Sequence, residues 1–306
     1  MMKGIHNNKG SATILMVMIA GVIITVAMGF NWLVQEHIRN SEGLRNKTEA
    51  ILKARSAYDT VIYLILNGRI TQQEVLFASG QEFSKLEKLP LNNQKVLLGD
   101  DVYIQAQDSN GKLSLVAVQE AALGRMIKKA GHLENAEGPV ESFLDWITPG
   151  DFSRPNGAKS FYYQSQGLPK PRNYALQYPE ELTMVKGIGR DLYEKIRPHL
   201  TILPTTGFNP NTASDDVLMA YLDINEETLK ALKDFMATKP LSSDAELFAL
   251  TGRRLVHDEG IFFFPSTYID ITISVGQPRS FYTIRGGLNI QQTLTSPYSI
   301  MYWIEE

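Results

Sequence analysis

The sequence predicts an α+β fold: a long amino-terminal helix packed on an antiparallel sheet, with a large inserted α-helical domain. Three observations predict it. Residues 11–67 keep a helical pattern, and two separate stretches, 96–118 and 261–304, are rich in strand-forming residues. Between them, residues 119–260 have helical periodicity and helix-capping residues. At 306 residues, the chain is long enough for one large or two ordinary domains.

The first element is an apolar helix. Ser11–Val34 contains no charge, and as a helix it would be ~36 Å long, enough to cross a hydrocarbon layer of ~30 Å. The leader MMKGIHNNKG carries Lys3 and Lys9 and ends in Gly10. Cleavage at Gly10–Ser11 would leave the helix on the mature protein, and a basic flank stays cytoplasmic. Periodicity alone fits an ordinary signal anchor equally well.

This leader resembles the class III signal of type IV pilins and type II secretion pseudopilins. The resemblance implies that a prepilin peptidase cuts after Gly10 and methylates Ser11. Most pilins carry Glu at the fifth mature position, where this chain has Leu15. A carboxylate in lipid is costly unless it is paired, and in the family it pairs with a neighbouring subunit. The K subunit characteristically lacks this Glu, so Leu15 points to a tip subunit.

The helix is predicted to continue through Gln35–Leu66 with one apolar face, and Asn67-Gly68 ends it. By the resemblance, Ala54, Ala57 and Tyr58 pack on a sheet. A short helix is predicted around Gln72–Ala78. Strands follow at Val96–Leu98, Val102–Gln107 and Leu113–Val118, with Asn110-Gly111 as the turn of a hairpin between the last two.

The inserted region begins with helices predicted at Gln119–Gly131 and Pro139–Ile147, and residues 148–178 are predicted to be irregular. Within 181–200, Lys186, Gly187, Ile188 and Gly189 form the turn of a motif that resembles helix-hairpin-helix units. Residues 208–252 suggest a second unit. Ser214 caps it, and its helices are predicted at Asp215–Leu222, Glu226–Thr238 and Ser243–Leu250.

Such units often bind nucleic acid through the amides of the glycine-rich turn. Charge argues against this here, because residues 181–200 have a net charge of +1 and residues 209–252 one of −5. The whole chain carries 30 basic and 33 acidic residues, and the leader holds two of the lysines. Nucleic acid is therefore an unfavoured partner, and a structural or protein-binding role is expected.

The arrangement FLDW…FYY, with Asp145, Trp146, Tyr162 and Tyr163, resembles the centre of the K-type pseudopilin α-domain. In that family calcium binds near an acidic cluster after the Trp. The resemblance therefore implies calcium at Asp145 and Asp151. These are the only acidic residues in the corresponding run, whereas calcium takes six or more oxygen ligands.

The carboxy-terminal part returns to strand character at 261–264, 267–275, 280–288 and 298–304. In 267–275 polar and apolar residues alternate, which predicts a sheet with one wet face. The chain has no cysteine, which excludes disulfides and thiolate catalysis. Its five histidines are not in metal-ligand spacing, and His257-Asp-Glu259 is interpreted as a solvated turn. No catalytic constellation is found, so an enzyme is not predicted.

The order of elements resembles the K subunit of type II secretion systems. The resemblance implies a minor pseudopilin at the pseudopilus tip, anchored in the bacterial inner membrane with its bulk in the periplasm. Its expected partners are the I- and J-type minor pseudopilins. The predicted divisions are a leader (1–10), a transmembrane helix (11–34), a pilin-like helix with the first strands (35–118), the inserted domain (119–260) and the last strands (261–306).

Two other functions remain open from the sequence. One is a membrane-anchored helix-hairpin-helix protein of the competence-receptor kind that binds DNA through Lys186–Arg190. The other is a minor pilin of a type IV pilus.

Overall fold

The computed structural model describes residues 9–77, 86–99, 101–255, 263–276, 282–291 and 293–306. The chain forms two compact units, one that ends at Lys53 and one that begins at Ala54. Helix α1 runs over Lys9–Asn67 without interruption, so the predicted long helix is confirmed. Its last turns, from Ala54 onward, belong to the second unit.

The second unit contains ten strands in its described part. They are β1 (Arg69–Ile70), β2 (Glu74–Leu76), β3 (Lys88–Pro90), β4 (Val96–Gly99), β5 (Val102–Asp108), β6 (Leu113–Ser114), β7 (Leu200–Thr201), β8 (Tyr268–Val275), β9 (Tyr282–Asn289) and β10 (Ser299–Glu305). The main sheet is antiparallel, in the order β10-β9-β8-β5-β4. Strands β1, β2 and β3 form a small sheet, and β6 pairs in parallel with β7.

The main sheet has one apolar face and one half-buried polar face. In β8 the side chains of Ile269, Ile271 and Ile273 are fully buried, whereas Asp270 and Thr272 are half-buried. This alternation follows from the two-residue period of a strand and confirms the predicted pattern.

The end of α1 packs on the apolar side of the sheet. Its residues Ala54, Ala57 and Tyr58 are buried, as predicted. The Tyr58 ring meets Trp303 of β10 edge-on, with ring centroids 4.6 Å apart. Burial of the Tyr58 ring helps to hold the helix to the sheet.

Helices fill the chain between β6 and β8. They are α2 (Glu120–Gly131), α3 (Glu137–Ile147), α4 (Ser160–Ser165), α5 (Gly189–Ile196), α6 (Asp215–Leu222), α7 (Glu226–Met236) and α8 (Asp244–Thr251). Ser214, Asn225 and Ser243 each cap the helix that follows by accepting a backbone hydrogen bond. The apolar faces of these helices share one core with β6 and β7.

The predicted hairpin at Asn110-Gly111 is wrong. Ser109–Gly111 forms a buried 3-10 turn, and β6 pairs with β7 instead of β5. Neither Asn110 nor Gly111 has the positive φ that a two-residue hairpin turn needs. The side chain of Asp108 instead accepts the Asn110 amide, and the chain leaves the sheet at this point. The predicted strand Leu113–Val118 is accordingly limited to Leu113–Ser114.

Three further local predictions differ from the structure. The short helix predicted around Gln72–Ala78 is replaced by β2, where Val75 is fully buried between β1 and β3; Ala78 lies outside the described residues. The irregular stretch 148–178 contains helix α4. In the predicted strand 261–264, Phe263 is buried with a φ of 61°, which no strand residue has.

Some predicted features lie outside the described residues. These are leader residues 1–8, the turn at His257–Glu259, and the first residues of the strands predicted at 261–264 and 280–288.

Candidate functional site

The apolar half of α1 is the candidate membrane anchor. Among the described residues, Ala12–Asn67 is the one helix long and apolar enough to cross a membrane. The side chain of Leu15 is 60% exposed, and its neighbours Ile14 and Met16 are also exposed. Gly10 and Ser11 lie within α1. An apolar helix with no protein against it in its own unit suits a lipid environment.

Asp145 lies on α3 with its side chain 1% exposed. Its Oδ1 accepts a hydrogen bond from Arg154 Nη1 at 2.8 Å, and its Oδ2 accepts the Arg154 backbone amide at 3.0 Å. Gly157 leaves the space for this pair, because a Cβ there would lie 2.0 Å from Oδ2. The carboxylate therefore already has a cationic partner within the chain.

This geometry does not fit the calcium site implied by the resemblance. Arg154 occupies the position beside Asp145 that a cation would need, and Asp151 is exposed. Across the described ranges, no three Asp, Glu or His side chains come together as a metal site. Calcium prefers several carboxylates in one place, so two separate aspartates, one already paired, are a poor ligand set.

Lys159, which the sequence analysis did not single out, is a buried lysine that hydrogen-bonds to the loop after α3. Its side chain is 4% exposed. Its Nζ donates to the carbonyl oxygens of Asp145 at 2.6 Å and Thr148 at 2.5 Å, and to Oδ1 of Asn173 at 3.0 Å. Burial lowers the pKa of this ammonium, while the nearby Asp145 raises it. One lysine thus joins the end of α3, the start of α4 and the loop before 179.

The predicted aromatic centre is present. The Trp146 and Tyr163 rings meet edge-on at 5.1 Å, and Tyr162 meets Tyr163 at 5.2 Å. Trp146 Nε1 donates to Glu181, whose carboxylate also accepts from Arg172 at 2.7 Å. Burial opposes ionisation of Glu181, but these hydrogen bonds outweigh it and lower its pKa.

The glycine-rich turn at Lys186–Gly189 packs on one side against Pro139 of α3. Gly187 has a φ of 84°, and a Cβ there would lie 2.9 Å from Cγ of Pro139. The Lys186 amide donates to the Tyr163 hydroxyl at 3.0 Å, and the Ile188 amide donates to Val185. Amides that already donate within the chain cannot bind phosphate at the same time.

A buried polar cluster lies where the helical region joins the sheet. The side chain of Asp108 is fully buried and accepts hydrogen bonds from the Asn110 and Ser266 amides and from the side chains of Asn209 and Thr212. Burial raises the pKa of Asp108 to about 6, and the four hydrogen bonds partly offset this. The carboxylate ties the point where the chain leaves the sheet to the point where it returns.

A cleft of about 390 Å³ lies over the half-buried face of the sheet. One wall is formed by Asp270 and Thr272 of β8 with Tyr302 of β10, and the other by residues between 177 and 202. Lys112 pairs with Asp270 at 2.8 Å, and the Tyr302 hydroxyl donates to the same carboxylate at 2.7 Å. The wet face predicted from alternation therefore lines a cleft.

The sequence of the central region matches a known family. The family model described as "Type II secretion system (T2SS), protein K" matches residues 95–205, from the residue before β4 to just after β7. A candidate type II secretion system protein K of Escherichia coli strain K12 is 32% identical over 123 residues, 37% of this chain and 38% of that protein. The type II secretion system protein K of Pectobacterium carotovorum is 21% identical over 263 residues, 79% and 78% of the two chains. The chain is therefore similar to proteins K of type II secretion systems, most clearly over residues 95–205.

The fold is also found among solved structures. A chain in the crystal structure of the GspK-GspI-GspJ complex from the enterotoxigenic Escherichia coli type 2 secretion system matches with a TM-score of 0.53. The match covers 88% of this chain and 99% of that chain at 16% identity. It supports the predicted α+β fold with its long amino-terminal helix.

Sequence reasoning missed the residues that hold the loops after α3 together. Arg154, Gly157 and Lys159 lie in a stretch predicted only to be irregular. One signal was available: two basic residues and a glycine follow the aspartate of the FLDW motif within a run otherwise poor in charge.

Proposed function

We propose that this protein is a minor pseudopilin that ends the pseudopilus of a type II secretion system and works mechanically, without enzymatic activity. One combination of features carries the proposal. The chain has an apolar helix followed by a pilin-like sheet, and its residues 95–205 match the protein K family model. The inserted region, 119–260, makes this subunit too wide for another to stack on it.

In this proposal residues 1–10 are a leader that a prepilin peptidase removes after Gly10, and Ser11 becomes the amino terminus. Residues 11–34 then span the inner membrane, and the rest of the chain lies in the periplasm. The solved relative was crystallised with GspI and GspJ, so we propose I- and J-type minor pseudopilins as partners. Leu15 suits a subunit that needs no carboxylate at the fifth mature position.

The two alternatives are not favoured. DNA binding through Lys186–Arg190 would use a turn in which the Lys186 and Ile188 amides already donate inside the protein. It would also use Lys186, whose ammonium lies 5.0 Å from the Tyr162 ring centre and contacts the carbonyls of Asn156 and Gly157. A type IV pilus role is disfavoured because the matched family belongs to type II secretion.

The test is made on the full chain, produced in cells that also contain a prepilin peptidase and the I- and J-type subunits. We expect mass spectrometry to find Ser11 as the methylated amino terminus and the purified protein to carry both partners. A salt-sensitive gel shift with DNA, or a mature protein that keeps its first methionine and carries neither partner, would refute the proposal. Gly10→Val is the matched control, since it should block cleavage without changing the fold.

A further inference from the structure

The outer side of β10 is an open sheet edge. β10 is the terminal strand of the main sheet, and among the described strands only β9 pairs with it. Glu306 exchanges two backbone hydrogen bonds with Thr283 of β9. In an antiparallel pair such residues alternate, so the backbone groups of Trp303 and Glu305 point away from β9. A bulge between Ile300 and Tyr302 limits the regular part of this edge to its second half.

After its bulge, this edge has little of the usual protection. Sheet edges of natural proteins are blocked by lysine, proline, short strands or bulges. The other edge, β4, has four residues and directly follows Lys95. By contrast, the seven residues of β10, SIMYWIE, include neither lysine nor proline. Ile300 and Met301 are each 46% exposed, and Trp303 is 38% exposed.

The cleft described above begins at the same edge. Tyr302, Trp303 and Ile304 belong to its lining. A strand added beside β10 would turn every second side chain towards the cleft side of the sheet. Proteins that bind extended peptides by strand addition use both features. The sheet edge supplies backbone hydrogen bonds, and a neighbouring pocket accepts alternate side chains.

The charges of the cleft indicate which side chains it accepts. Each lining cation faces a carboxylate: Lys112 pairs with Asp270 at 2.8 Å, Arg197 lies 3.7 Å from Glu194, and Arg285 pairs with Glu306. The third lining carboxylate, Glu180, is exposed and is in none of these three pairs. An acidic group placed there would lose its hydration while each lining cation is already paired, so side chains without negative charge fit best.

We propose that the open edge of β10 and the cleft beside it bind an extended segment without acidic side chains from a partner minor pseudopilin, which adds to the sheet as a sixth strand. This inference rests on the proposed function, because it assigns a surface to the partners proposed there. Main-chain hydrogen bonds to Trp303 and Glu305 hold the segment, and the cleft selects its side chains.

Hydrogen exchange on the full chain, free and in the complex with I- and J-type subunits, tests the proposal. We expect the amides of Trp303 and Glu305 to exchange at least about tenfold more slowly in the complex. The inward amide of Tyr302 should change little, since β9 already protects it. A complex in which both outward amides exchange as in the free chain would overturn strand addition and leave the tip role intact. If no complex forms, the proposed function fails and this inference fails with it.

Substitutions at the edge give a second test. Met301→Lys places a charge at an exposed position of the edge, and we expect about tenfold weaker binding of the partner subunits. Leu97→Lys, at a 52% exposed position on the opposite edge strand, is the matched control and should bind normally. Unfolding midpoints are measured for both, and Ile300→Lys replaces Met301→Lys if that variant is destabilised. Equal binding by edge and control variants would contradict the proposal.

Discussion

Position 157 requires a glycine because any side chain there would collide with the carboxylate of Asp145. A methyl group at this position would lie 2.0 Å from Oδ2 of Asp145 and 3.2 Å from the Glu141 carbonyl, so Gly157→Ala must displace the Asp145–Arg154 pair. Disturbing a buried ion pair costs on the order of 3 kcal/mol, and we expect the free energy of unfolding to fall by about that amount. Denaturant titration measures it. Gly124→Ala is the control: its Cβ would meet only Val140, at 3.8 Å, and an alanine in a helix should stabilise by up to ~1 kcal/mol.

Asp108 gives the stability an identifiable pH dependence. Its pKa rises from 3.8 to about 6 on folding because of burial, so the folded protein holds a proton that the unfolded chain has released. The contribution of Asp108 is therefore fully present below about pH 4 and is lost as the pH rises to about 6, by roughly 3 kcal/mol at most. Urea titrations of wild type and Asp108→Asn from pH 4 to 7 measure it. The wild type should lose stability relative to Asp108→Asn as the pH rises. A stability difference that stays constant with pH would contradict this.

At the scale of elements, the end of α1 packs closely on the sheet because Gly286 has no side chain. Gly286 of β9 lies under the Tyr58 ring, and a Cβ there would come within 2.3 Å of the Tyr58 hydroxyl and 3.0 Å of the ring carbon that bears it. We expect Gly286→Ala to destabilise the protein by about 1–3 kcal/mol through overpacking. Adding Tyr58→Phe should recover part of the loss, because it removes the closest atom. Thermal unfolding of both variants tests this, and a double variant no better than the single one would rule out the steric explanation.

The elements differ in how well the sequence predicted them, and the differences have physical reasons. Helices α6, α7 and α8 were well predicted because their start signals are local: Ser214, Asn225 and Ser243 cap their own helices. The turn at Asn110 was mispredicted because its conformation depends on distant partners, including the amide of Thr206, which donates to Asn110 Oδ1 at 2.9 Å. The Lys159 contacts likewise join segments far apart in sequence, and no local pattern signals such contacts.

The loop after α3 provides a test of calcium dependence. Arg154 and Lys159 supply positive charge from within the chain beside Asp145, so we expect the unfolding midpoint to be the same with calcium and with a chelator. Arg154→Ala should lower the midpoint, because it leaves the Asp145 carboxylate buried without a partner. Lys128→Ala, which removes a lysine from the last turn of α2, controls for loss of charge. A midpoint that falls with chelator in the wild type would restore the calcium site expected from the resemblance.

At the scale of the whole molecule, a subunit at the pseudopilus tip should require an uncharged residue at position 15, where this chain has Leu15. In the family the carboxylate at the fifth mature position pairs with the terminal ammonium of a neighbour, and a first subunit has no subunit ahead of it to supply that ammonium. Leu15→Glu would therefore place an unpaired carboxylate in lipid, at a cost of about 3 kcal/mol. We expect less of this variant in the membrane and fewer pseudopili than with Leu15→Gln, which adds a polar group of similar size without charge. Gold labelling of the wild type should mark one end of each pseudopilus. Label along the shafts, or normal assembly of Leu15→Glu, would show that other subunits stack on both sides of this protein.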